Sequence, residues 1–377
     1  MKKQLLTAAI LCCLVIAGST AAPKSAKKKP KIPVSRVQTH MDGYLGDRID
    51  ACIRVRVCSE DPDLLVAPMR RQTETSLWQS EFWGKWTLGA IASYRYNKDP
   101  ELLRKIEGGV ESLLAAQQPD GYIGNYAPEA QLTNWDVWGR KYTMLGLLAY
   151  YDLTGDKKAL DGAVRLADHL LTQIPAVRQI ERTGIYRGMS SCSILEPIML
   201  LYNRTLDEKY LDFARYIVDR MESADGPQLI AKALDSVPVS ERFPLDDPSR
   251  GWFVWENGQK AYEMMSCYDG LLELYKVTND PRYLKAVEAT VTSIIADEIN
   301  IAGSGSSFEC FYKGKALQTE PAYHTMETCV TMTWMKLCYD LLRLTRNPLY
   351  ADQIERSAYN ALAASMKEDA SQIAKYS

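Results

Sequence analysis

The chain has 377 residues, 46% of them hydrophobic, and a net charge of −2. That is enough polypeptide for one large domain or two ordinary ones, and so even a charge balance offers no field to draw in nucleic acid or an anionic membrane. With only three histidines (His40, His169 and His324) there is little material for a Ser-His-Asp triad or a His-rich metal site, and no Walker A or dinucleotide fingerprint occurs.

Residues 1–22 read as a signal peptide. Lys2-Lys3 is a charged start, 5–17 an apolar core that contains Cys12 and Cys13, and Ser19-Thr20-Ala21 a small-residue cleavage site. The core is too short to span a membrane, and no small residue sits where a lipoprotein signal would need one before its Cys. The mature protein is expected to be exported, to the periplasm or outside the cell, with no membrane attachment after cleavage. Residues 23–40, rich in Lys and Pro, read as a flexible basic leader, and 41–377 as a single domain. Seven cysteines remain there: Cys52, Cys58, Cys192, Cys267, Cys310, Cys329 and Cys338. Their odd number and irregular spacing argue against a disulfide framework and for buried thiols, some of them open to metal binding.

Helical periodicity predicts helices over 41–57, 79–97, 100–117, 138–153, 157–174, 191–204, 208–222, 258–277, 281–296, 326–344 and 348–366. One phrase joins them in pairs: Asn97-x-Asp99-Pro100, Thr154-x-Asp156, Thr205-x-Asp207, Thr278-x-Asp280-Pro281 and Thr345-x-Asn347-Pro348. Asp or Asn makes a good N-cap and Pro fits the first helical position, so each phrase is the short turn of a helical hairpin. Repeated hairpins predict an all-α, (α/α)6 toroid. Five turns and eleven helices leave a ring of six hairpins one helix short, so the domain is expected to be C-terminally incomplete. The long connections 118–137, 175–190, 223–257 and 297–325 gather at the end opposite the short turns. That end is the expected active-site face.

Seven of the eight tryptophans lie in or just after connections at this end: Trp78, Trp83, Trp86, Trp135, Trp138, Trp252 and Trp255. They read either as core that plugs the mouth of the ring or as platforms for the apolar face of a sugar. The same face holds Glu81, Asp120, Asp136, Glu256, Glu309, Glu320 and Glu327, carboxylates of the kind that glycoside hydrolysis uses in pairs. Glu327 and Cys329 stand two apart where a helix begins. In extended backbone both would point the same way, and a carboxylate with a thiolate is half of a tetrahedral zinc site. A helix-capping Glu and a buried Cys are the other reading.

Together Trp78-Gln-Ser-Glu81-Phe-Trp-Gly-Lys-Trp86, Gln118-Pro-Asp120-Gly-Tyr122, Phe308-Glu309-Cys-Phe311, Glu327-Thr-Cys329 and Tyr350-Ala-Asp352…Glu355…Tyr359-Asn360 resemble the catalytic domain of glycoside hydrolase family 127, the β-L-arabinofuranosidase-like proteins, over 44–366. The resemblance implies a retaining exo-glycosidase acting on terminal sugars of an oligo- or polysaccharide. It implies Glu309 as general acid/base, and Glu327 and Cys329 as zinc ligands. Two adjacent cysteines would complete the zinc site, one of them the nucleophile. It also points to Glu81, Trp83, Trp138, Arg140 and Gln259 as substrate-binding residues. Arg140, Cys192 and Gln259 stand where the family places sugar-contacting histidines, and no adjacent Cys pair follows Cys329. The 377-residue chain is therefore expected to be inactive or nearly so. A non-catalytic carbohydrate-binding toroid and a polysaccharide lyase on the same ring are the alternatives. Nothing in the sequence sets the sugar, the linkage or the oligomeric state.

Overall fold

The computed structural model describes residues 39–243, 259–306, 309–320 and 326–366. The signal peptide and most of the leader, together with Trp252, Trp255, Glu256, Phe308 and His324, lie outside the described residues. No described helix is long and apolar enough to cross a membrane.

The chain is all-α. It opens with α1 (Gly43–Cys52), which continues as a π-helical segment Ile53–Val57, and then α2 (Pro62–Arg71). Five hairpins come next: α3 (Ser80–Asn97) with α4 (Pro100–Ala115), then α5 (Asp136–Thr154) with α6 (Lys157–Gln173). After the short α7 (Met189–Cys192), α8 (Leu195–Thr205) pairs with α9 (Glu208–Met221). After α10 (Leu229–Leu234), α11 (Ala261–Thr278) pairs with α12 (Pro281–Asp297), and α13 (Thr328–Thr345) with α14 (Pro348–Ser357). The first members α3, α5, α8, α11 and α13 pack side by side in that order and each second member packs outside its own partner, which is the arrangement of an (α/α)6 toroid.

The recurrent phrase builds the same turn five times. The residue between Thr/Asn and Asp/Asn is left-handed in every case: Lys98, Gly155, Leu206, Asn279 and Arg346, with φ from 56° to 76°. Its N–H closes the first helix onto the carbonyl of Tyr94, Tyr151, Tyr202, Tyr275 or Leu342, at 2.7–2.8 Å. The Thr or Asn side chain then accepts from the backbone N–H of the capping residue, as Thr154 Oγ1 does from Asp156 at 3.1 Å and Asn97 Oδ1 from Asp99 at 3.0 Å. The cap in turn accepts from the N–H two residues on, as Asp207 does from Lys209 at 3.1 Å. Every polar position of the phrase thus satisfies a group that a helix end leaves unpaired.

The predicted helices are present with two additions and one break. The missed α2 is capped by Asp61, which accepts from Asp63 N–H at 3.0 Å, but Pro68 in its interior interrupts the hydrogen-bond ladder a sequence reading relies on. The missed α10 is capped from a distance: both Glu222 oxygens accept from Ile230 and Ala231 N–H at 2.8 and 2.9 Å. The helix predicted over 191–204 breaks after α7, because Pro197 cannot donate to the carbonyl of Ser193.

α3 and α5 approach most closely of all. A Cβ on Gly84 would lie 2.1 Å from the Tyr142 carbonyl oxygen, one on Gly146 2.6 Å from the Trp83 ring, and one on Gly139 1.8 Å from Ser80 Oγ. Nearer the ring axis an ionic node joins the inner helices. Lys336 of α13 binds Asp269 of α11 at 2.7 Å and Glu196 of α8 at 2.9 Å, with Asp340 at 3.8 Å.

Leu206 is left-handed and 70% exposed, so its side chain holds the turn under steric strain without packing to offset it. Leu206→Gly is expected to raise stability by about 0.5–1 kcal/mol, and Asp207→Ala to lower it by about 1 kcal/mol, both read from urea denaturation midpoints.

Candidate active site

A cavity of about 700 Å³ opens at the N-terminal ends of α3, α5, α11 and α13, the end at which the long connections arrive. Its polar wall holds Glu81, Lys85, Lys260, Tyr262, Glu263, Glu309, Glu327 and Cys329. Trp78, Trp135 and Trp138 line it as well, and Val57, Leu64, Leu65 and Phe82 form an apolar flank.

The floor is made by the tight α3–α5 contact. Glu81 pairs through Oε1 with Lys85 at 2.8 Å, and its Oε2 accepts from the Trp138 indole. Lys85 sits 5.1 Å above the Tyr142 ring and 4.8 Å above the Tyr262 ring, and the two tyrosine hydroxyls are hydrogen-bonded to each other. Burial works against the Lys85 ammonium, but Glu81, Tyr262 and Cys329 outweigh it and its pKa is raised. Burial pushes Tyr262 up to about 12.

The second wall comes from a pairing of segments 50 residues apart. Lys260 and Cys310 form an antiparallel bridge, with Ala261 N–H donating to the Glu309 carbonyl at 2.9 Å and Phe311 N–H to the Gln259 carbonyl at 3.0 Å. This brings the Lys260 ammonium onto Glu309 Oε2, 3.8 Å from Glu263 and 5.0 Å over the Tyr186 ring. Glu309 itself has φ +67°, a strained conformation for a residue with a Cβ. Burial raises the pKa of Glu263, partly offset by Lys260, and its Oε2 has no hydrogen-bond partner among the described residues.

Glu327 stands at the N-cap position of α13, two residues before Cys329, without a side-chain capping hydrogen bond, and the Cys329 thiol hydrogen-bonds its carboxylate. Burial, and then the Glu309 charge, push Glu327 up to about 7. Cys329 reaches the cavity solvent, yet the surrounding protein still pushes its thiol up to about 11, with Lys85 working the other way. Among the described residues the buried Glu327 Oε2 has no partner, which suits a cation lodged against these two side chains. Among the described residues no three His, Cys, Asp or Glu side chains converge on one point, so a zinc ion would need donors beyond this pair.

Of the residues singled out in the sequence, Glu309, Glu327, Cys329, Glu81 and Trp138 meet at the cavity. Three of the residues expected to bind substrate do not line the cavity. Trp83 is wholly buried, its indole donating to the Gly109 carbonyl at 3.1 Å. Arg140 is also wholly buried, paired with Asp136 at 2.6 Å and Gln173 at 2.7 Å. Gln259 clamps the Phe243 backbone through both ends of its amide, at 3.0 and 2.8 Å. Nor does Cys192, wholly buried, line the cavity. Asp120 lies 3.3 Å from His169, which packs between it and Arg140. Neither Asp120 nor Glu320 lines the cavity. Lys260, Tyr262 and Glu263 were missed, although their place just after Gln259 at the start of an inner helix was the available signal; Lys85 lay inside the Trp78–Trp86 motif.

A ring of helical hairpins with a carboxylate-rich cavity at the loop end is the architecture of (α/α)6 carbohydrate-active enzymes. Residues 37–376 match the family described as β-L-arabinofuranosidase, GH127 catalytic domain, and the chain belongs to that family. A non-reducing end β-L-arabinofuranosidase of Bifidobacterium longum subsp. longum is 22% identical over 314 residues, covering 76% of this chain and 46% of that protein. Among solved structures, the fold is similar to a GH127 β-L-arabinofuranosidase from Geobacillus stearothermophilus T6 (TM-score 0.64, 19% identity, 88% of this chain and 56% of the other). It is also similar to an α-1,6-mannanase, GH76A, of Salegentibacter (TM-score 0.51, 14% identity, 84% and 85%). The chain spans about half the length of the GH127 proteins it matches.

In metal-free protein the raised Glu327 pKa has a defined sign. Between the ordinary Glu value of about 4.3 and about 7, the folded state keeps a proton that the unfolded state has lost, so stability falls as pH rises through that window. Glu327→Gln, which cannot ionise, is expected to flatten this dependence. It should melt higher than wild type at pH 8 and converge with it near pH 4, read by thermal denaturation in EDTA.

Proposed function

We propose that this chain carries the acid/base half of a retaining exo-glycosidase site that, after export, acts on terminal arabinofuranose-like sugars of a glycan. The observation that carries the reading is the convergence of Glu309, Glu327 and Cys329, from segments up to 20 residues apart, on one cavity. Glu309 would pass a proton to the leaving glycosidic oxygen and later take one from water. Lys260 holds that carboxylate against a backbone already fixed by two hydrogen bonds. The indole and tyrosine walls keep bulk water from the reacting carbon. Glu327 and Cys329 would hold zinc, whose contribution is to keep a thiol as reactive thiolate.

Cys329 is the one thiol on the cavity among the described residues. Committed to metal, it leaves no second thiol there among the described residues, so the chain by itself is proposed to bind sugar and turn over little or none. The same observation favours the second reading, a carbohydrate-binding toroid without catalysis. A lyase is disfavoured because the tyrosine nearest a cavity lysine, Tyr262, is pushed up to about 12 and already bonded to Tyr142, a poor base at neutral pH.

The test is zinc content by elemental analysis together with hydrolysis of 4-nitrophenyl β-L-arabinofuranoside. Sub-stoichiometric zinc and turnover at the buffer rate are expected. Robust turnover lost in Glu309→Gln would sink the claim of inactivity while supporting the acid/base assignment; turnover indifferent to Glu309→Gln would sink that assignment.

A further inference from the structure

The cavity tryptophans fall into two groups. Trp86 and Trp138 have their indole N–H groups committed to the protein, to the Val57 carbonyl at 3.1 Å and to Glu81. Trp78 and Trp135 make no indole hydrogen bond among the described residues, and both line the cavity. Their rings meet at 73° with centroids 6.1 Å apart, and Trp135 continues the wall edge-on to Trp138 at 5.8 Å and Tyr186 at 6.1 Å. The result is an L-shaped aromatic corner that joins the carboxylate wall through Tyr186, the ring beneath Lys260.

This corner is held rigid from behind. The Trp78 carbonyl accepts from Glu81 N–H at 3.1 Å and the Trp135 carbonyl from Gly139 N–H at 2.8 Å, so each ring stands at the start of an inner helix. The two segments that carry them are tied together. Glu74 and Tyr126 form a backbone bridge, Asn134 donates to the Thr75 carbonyl at 2.9 Å and Asn125 to Gln79 Oε1 at 3.0 Å.

We propose that Trp78 and Trp135 form a stacking subsite for the second, neutral sugar of the substrate, the one on the leaving-group side of the bond presented to Glu309. The proposal rests on the glycosidase reading for its orientation. The corner carries no charge of its own; Trp78 is partly exposed and Trp135 8% exposed, and the lysines behind it are neutralised by Glu81 and Glu309. An uncharged sugar ring with an apolar C–H face fits such a surface. The deep carboxylate wall takes the terminal unit, and the corner takes the next one outward.

The experiment is titration of the intact chain with neutral disaccharides (arabino-, xylo-, manno- and galacto-linked) and the matching monosaccharides, read by tryptophan fluorescence and calorimetry. The best disaccharide is expected to bind Trp78→Ala about tenfold more weakly than wild type, a loss of about 1.4 kcal/mol. Trp78→Phe should stay within about threefold, and the monosaccharide should not distinguish the three proteins, whose melting temperatures should agree. Equal disaccharide affinity for wild type and Trp78→Ala, or no binding of any disaccharide by wild type, overturns the subsite. Trp78-dependent binding without hydrolysis removes the glycosidase reading and leaves the subsite standing; hydrolysis of aryl glycosides with Trp78-independent binding does the reverse.

Discussion

The closeness of α3 and α5 determines the shape and the charge pairing of the cavity floor. Gly84, Gly139 and Gly146 remove the side chains that would hold the two helices apart. At ordinary separation the Trp138 indole could not reach Glu81, and Lys85 could not lie over both Tyr142 and Tyr262. A buried lysine and a buried glutamate are each costly alone and tolerable as a hydrogen-bonded pair with aromatic neighbours. The floor is therefore a product of backbone proximity first and of charge pairing second. Glu309 owes its place to a different constraint, the short antiparallel pairing between 259–261 and 309–311.

How much of this could be read from the chain depended on how local the cause was. The hairpin turns were legible because cap, left-handed residue and Thr lie within five positions, and the helices they delimit came with them. α10 was not, because its cap is Glu222, eight residues upstream of the first N–H it satisfies. In the site, Glu327 and Cys329 were legible as neighbours since they are two apart. Lys260 was not legible as the partner of Glu309, because no periodicity connects residues 49 apart. Trp83, Arg140 and Gln259 lie off the cavity for a shared reason. Each is polar or aromatic near the start of an inner helix, and sequence alone does not say which side of that helix faces the cavity. Trp83 turns outward to α4, Arg140 to α6 and Gln259 to the loop at Phe243.

Kinship with known proteins sharpens the chemistry rather than the fold. The chain belongs to the GH127 catalytic family and spans about half of its GH127 relatives, and the roles proposed for Glu309 and the Glu327–Cys329 pair rest on that kinship. The cavity wall on α3, α5, α11 and α13 is built from residues within this chain.

The ionic node around Lys336 has a consequence for recognition. One ammonium answers carboxylates from α8 and α11 while standing on α13. Drawing α13 away would leave Glu196 and Asp269 facing each other with only the buried Lys141 of α5 as counter-charge, in surroundings that screen poorly. The node therefore acts as a hub that resists breathing of the ring below the cavity. Any ligand of the cavity would meet walls whose spacing is already set, so little conformational freedom would be left to be lost on binding.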